Sequence, residues 1–293
     1  MKKVTLLILI TLIFSVFARS QNTPPATDIY LVELTEREGA VKIGKPVNIT
    51  AREGYDNQPS FMRDGRFVLY TSIREDTQAD TYRYNIADGS TKRVIQTTES
   101  EYSPTITPDG KYFSVIRVEK DSTQRLWKFP VDGGEPSLVL ENIKPVGYHV
   151  WMDEQTLALF VLGNPNTLQI VEVGTEKAET VATNIGRSLH RRPGQEKINF
   201  VRKLSDGNWM IEEMDIRTRK ITSLIKTLPA SEDFVWTPSG TLLMAKDAKL
   251  YSWNPEKDKD WQEVSDLSGY GIKSITRLAV NPQGDRLAMV AVK

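Results

Sequence analysis

The sequence predicts an all-β chain, a six-bladed β-propeller of four-stranded antiparallel blades. Three observations carry this. A short turn phrase recurs six times, its copies 41 to 45 residues apart, which is the period of a propeller blade. Each copy stands between two short apolar runs, as a hairpin turn does. Finally, too little chain follows the last copy to finish a blade, while two strand-like runs precede the first copy.

The phrases are Arg63-Asp64-Gly65, Pro108-Asp109-Gly110, Met152-Asp153-Glu154, Pro193-Gly194-Gln195, Pro238-Ser239-Gly240 and Pro282-Gln283-Gly284. In blade one, residues 60–62 enter the turn and 66–71 leave it. A polar loop follows at 74–79. The third strand, 81–86, places Tyr82, Tyr84 and Ile86 on one face. Asp88-Gly89 makes a second hairpin turn and 91–95 the fourth strand. Blade two repeats the order at 105–107, 112–118, 126–131 and 136–140, with Trp127, Phe129 and Val131 in register with the blade-one trio. Blade three takes 148–151, 156–162, 168–173 and 179–182; blade four takes 189–191, 197–202, 209–216 and 220–225; blade five takes 234–237, 241–245, 250–254 and 262–264. Blade six has only 277–281 and 286–292. Residues 28–34, with the same alternation at Tyr30, Val32 and Leu34, and residues 40–49 are expected to complete it. Closure with two strands from each end leaves no free sheet edge between first and last blades. The expected organisation is a leader at 1–20, a linker at 21–27 and one propeller over 28–293.

Composition narrows the compartment and the partners. Lys2 and Lys3 precede an apolar run at 4–17, and Ala18-Arg19-Ser20 supplies small residues before Gln21. This is the pattern of a secretory signal peptide, and the run is shorter than a membrane span requires. A periplasmic or secreted monomer without a membrane span is therefore expected. Cysteine is absent, so stability must come from packing rather than from disulfides. The 38 basic and 38 acidic side chains balance, whereas a nucleic-acid binder would show a basic excess or stripe.

The stretch Ser103-Pro104-Thr105-Ile106-Thr107-Pro108-Asp109-Gly110-Lys111 resembles the PD40 (WD40-like) repeat of TolB-type propellers. The continuation through Leu126-Trp127 to Gly134-Glu135-Pro136 is similar to that family too, and 57–61 and 234–240 match it more loosely. The resemblance spans the chain after the leader and is weakest in blades three and four. It implies a propeller-only member that binds a protein partner or small ligand in the cell envelope, with catalysis the less favoured role. No Gly-x-Ser-x-Gly elbow occurs.

Residues with chemical capacity are few. The only histidines, His149 and His190, hold the same repeat position in adjacent blades. They read either as a metal-ligand or acid–base pair, or as polar residues satisfied in the channel wall. A zinc site would want three or four ligands. Asp56, Glu101, Glu232 and Asp233 lie on loops entering the innermost strands, where a carboxylate cluster would hold Ca²⁺ or Mg²⁺; the plainer reading is loop charges and caps. Tyr55, Asn57, Gln58, Tyr102, Tyr148, Arg187 and Arg277 are expected at the same mouth of the channel, and Tyr and Arg are typical binding anchors. The tryptophans read as blade-to-blade packing, with a sugar platform as the other reading. The binding-module expectation thus stands beside a small hydrolase or lyase with a metal in the channel.

Overall fold

The structure is a computed structural model that describes residues 24–75 and 77–292. The leader at 1–20 lies outside the described residues. The propeller is as expected: six antiparallel sheets, one per repeat. Their innermost strands are Tyr55–Phe61, Ser100–Ile106, Val146–Trp151, Ile185–Arg191, Phe234–Trp236 and Ser274–Val280.

Blade six closes the ring. Its inner pair, Ser274–Val280 and Arg286–Val292, is followed outward by Asp28–Arg37, paired from Asp28 with Ala291 to Glu33 with Arg286. The expected outer strand at 40–49 is two pieces, Ala40–Ile43 and Val47–Asn48, both paired to Asp28–Arg37. The break falls at Gly44-Lys45-Pro46, where proline has no N–H to give to a ladder.

The core is a ring of six seams, one between each pair of neighbouring blades. Tyr82, Tyr84 and Ile86 face blade six, against Ile29, Leu31 and Val290. Trp127, Phe129 and Val131 face blade one, against Leu69 and Ile95. Tyr30, Val32 and Leu34 face blade five, against Leu243 and Leu250. The shared alternation thus has a single cause: each third strand buries that face against the preceding blade. All six tryptophans sit in seams. Where buried, their N–H groups find partners: Trp151 donates to Ser114 Oγ at 2.9 Å and Trp236 to Asn199 Oδ1 at 3.0 Å.

The turn phrase is explained by two requirements. Asp64 Oδ1 accepts from the Arg66 N–H and Asp109 Oδ1 from the Lys111 N–H, each at 3.0 Å, the aspartate turn that fixes a tight reversal. Gly65 and Gly110 have φ of 68° and 72°, the left-handed region. A Cβ on Gly110 would also come within 3.2 Å of Arg63 of the preceding blade. Blade four moves its glycine one place earlier, to Gly194 with φ 69°. Blade three dispenses with it, Asp153 Oδ1 accepting from both Gln155 and Thr156 at 2.8 Å.

Candidate functional site

The inner strands run from one end of the channel to the turn phrases at the other. The end where they begin, the mouth, also carries the loops between second and third strands. Five of the six inner strands shift register near this end: between Asn57 and Ser60, Tyr102 and Thr105, Val146 and Tyr148, Ile185 and Leu189, and Ile275 and Arg277. At two of these shifts Gln58 and Ser103 adopt φ of 56° and 55°, and Gln58 Oε1 accepts from the Ser103 N–H at 2.8 Å. An extra residue in one strand bends it and re-aims its side chains. Here it turns them toward a channel cavity of about 300 Å³.

Tyr148, Arg187, Asp233 and Arg277, one from each of blades three to six, line this cavity, and Tyr55 of blade one stands close enough to interact with Arg277, Tyr148 and Tyr102. Arg187 of blade four reaches Asp233 Oδ2 of blade five at 2.7 and 2.9 Å through its two nitrogens and the Thr276 carbonyl of blade six at 3.3 Å. Arg277 of blade six crosses the channel to the opposite blade, donating to Tyr148 Oη at 2.8 Å. Burial opposes its charge, but Asp233 and the phenols of Tyr148 and Tyr55 outweigh that and hold its pKa above the usual arginine value. Tyr55 is pushed up to about 12, by burial first and by the neighbouring Tyr148 and Tyr102 phenols, against the pull of Arg277 and Arg187. Burial likewise raises Tyr102. Glu232 stands beside this group, taking Lys203 Nζ at 2.8 Å and lying 3.6 Å from Arg187.

His149 and His190 also line this cavity, whereas Asp56, Glu101 and Asn57 are buried away from it. Asp56 and Glu101 hold one repeat position, and both are fully buried. Asp56 accepts from Ser72 Oγ at 2.6 Å and pairs with Arg52 at 3.3 Å; Glu101 accepts from Thr97 Oγ1 and lies 3.5 Å from Arg117. Each fastens the incoming loop to its own blade. Burial raises both, Glu101 to about 7. Asn57 is buried against Thr27, at 3.5 Å. The expected carboxylates therefore divide between blade interiors and arginine or lysine pairs. Among the described residues no three His, Asp or Glu side chains come together as a metal-holding group.

The histidines turn apart. His149 shares a 2.6 Å hydrogen bond with Ser114 of blade two, and His190 lies 4.9 Å, ring to ring, from Phe234 of blade five. Burial lowers them to about 3 and about 4, so both are neutral at pH 7 and neither faces the other as an acid–base pair.

Sequence reasoning overlooked Lys203 and Gly186. A Cβ on Gly186 would stand 2.6 Å from Glu232 Oε2, so the glycine admits the carboxylate that Lys203 and Arg187 share. A glycine inside an otherwise regular strand was the available signal. Three of the four exposed large apolar side chains among the described residues, Leu162, Leu204 and Tyr270, also lie on mouth-side loops and strand ends.

No protein-family model matches the sequence, and no curated protein matches it. Solved structures do. A chain from Agrobacterium tumefaciens described as a TolB superposes with a TM-score of 0.71 at 15% identity, over 91% of this chain and 99% of that one. TolB from Acinetobacter baumannii gives 0.59 at 12%, over 92% of this chain and 64% of its own. A gluconolactonase from Xanthomonas campestris gives 0.63 at 8%, over 94% and 99%. At such identities the likeness is one of fold, and the fold is that of the TolB propellers.

Proposed function

We propose that this propeller is a protein-interaction module of the cell envelope and that the channel mouth is its working surface. The observation that carries the reading is convergence: blades three to six each deliver one Tyr, Arg or Asp to one cavity, with Tyr55 of blade one beside them and exposed Leu162, Leu204 and Tyr270 on the same end of the propeller. Arg and Tyr are the residue types enriched at binding hot spots. Loops held on a rigid scaffold are where such residues belong. The TolB fold supports the same role. The leader at 1–20 supports export, and no helix among the described residues is long and apolar enough to cross a membrane.

The hydrolase or lyase reading shares its fold with a gluconolactonase. It finds little support in the side chains, because the histidines turn apart and the mouth carboxylates are occupied by arginine and lysine.

Photo-cross-linking tests the interaction reading. A benzophenone side chain in place of Leu204 or Tyr270 is expected to give a discrete protein adduct in the cell envelope. The same group in place of Asp88 or Lys111, on the opposite face, is expected to give none. Adducts from the opposite face alone would reverse the assignment.

A further inference from the structure

We propose that the channel mouth binds a carboxylate, which deepens and rests on the reading of that mouth as the working surface. The argument begins at Arg277. Its side chain is 13% exposed, and Asp233 Oδ1 is 3.9 Å away. Among the described residues its guanidinium makes one hydrogen bond, to Tyr148 Oη. A guanidinium carries five N–H donors, and a cation so deeply buried is ordinarily matched by a hydrogen-bonded anion. Asp233 is committed through its other oxygen to Arg187, and Glu232 is held by Lys203.

Three cations, Arg187, Arg277 and Lys203, therefore face two carboxylates, Glu232 and Asp233. Tyr148 occupies one Arg277 donor as an acceptor, and Tyr55 beside this group stays protonated throughout the neutral range and adds an O–H donor. One uncompensated positive charge with convergent N–H and O–H donors suits a planar anion that arginine grips with two bonds. The 300 Å³ cavity lies at the lower end of small-ligand pockets. The incoming oxygen takes the place of Tyr148 Oη on Arg277, releasing the bridge that spans the channel.

Calorimetric titration of the purified chain tests this, using succinate, its neutral twin succinamide, and a tetraglutamate peptide. Saturable binding of succinate or the peptide, but not of succinamide, is expected. The affinity should fall about tenfold or more in Arg277→Gln. In Tyr148→Phe, which keeps the cation and removes the competing oxygen, affinity should hold or rise. Binding of succinate alone assigns a free organic acid; much tighter binding of the peptide assigns carboxylate side chains of an inserted chain. The proposal is overturned if neither anion binds, if succinamide matches succinate, or if a folded Arg277→Gln binds as the parent does. Should Arg277→Gln fail to fold, loss of binding in a folded Tyr148→Phe overturns it equally. Cross-linking from Leu204 and Tyr270 would survive that failure, so partner docking and anion recognition are judged separately.

Discussion

Glu101 and His149 show how single buried residues on one scaffold pull stability in opposite directions with pH. Glu101 is raised by burial to about 7. Its unfolded form ionises near 4.5, so its contribution to stability is intact below that pH and declines as pH climbs toward 7. His149 and His190 are lowered to about 3 and 4 by burial. Their unfolded forms take up protons near 6.5, so stability is lost as pH falls below that value. Glu101→Gln keeps an acceptor for Thr97 and removes the ionisation. Urea unfolding is expected to show its stability, relative to the parent, improving between pH 5 and pH 8 by on the order of 1–3 kcal/mol. A difference that does not vary with pH would contradict the burial of an ionising Glu101. Gly186→Ala is expected to cost about 1–3 kcal/mol, because its Cβ must displace Glu232 or press on Val201, 3.2 Å away. Thermal unfolding checks this, and a neutral result would show that the Glu232–Lys203 pair moves aside freely.

Among the elements, the strand Asp28–Arg37 has the largest task, since it pairs with Arg286–Val292 and closes the ring. Ile29 is fully buried between blades six and one. Ile29→Ala is expected to cost about 2–5 kcal/mol, whereas Leu204→Ala, exposed at 54%, should stay within about 0.5 kcal/mol. Equal midpoints in urea would mean that the closing strand carries no special load. This strand was legible in advance because the Tyr30, Val32, Leu34 alternation repeats that of the other third strands, and period-2 patterning survives in any sheet with a buried face. The turns were legible because left-handed backbone demands glycine. The mouth was only partly so. A register shift at Gln58 or Ser103 re-aims the side chains beyond it, so adjacency in sequence did not reveal that Asp56 and Glu101 point into their blades. The Arg277–Tyr148 bridge joins residues 129 apart and exists only because blades three and six face each other across a closed ring.

On the proposed reading, the whole molecule separates scaffold from function by face. The turn phrases gather at one end, where at Gly65, Gly110 and Gly284 the adjacent blade's turn leaves little room for a side chain. The other end is where the copies diverge, to Tyr, Arg, Asp or Gly at related positions. Closure by pairing Asp28–Arg37 with Arg286–Val292 completes the ring without cysteine and holds six inner strands around one channel. The measurement that bears most directly on this division is recovery of the cross-linked partner by surface variants that leave the core untouched. Leu204→Glu with Tyr270→Glu on the mouth face is expected to lower recovery about tenfold or more, while Asp88→Lys with Lys111→Glu on the turn face leaves it unchanged. Retained recovery in the mouth-face variant, or loss in the turn-face variant, would contradict the account.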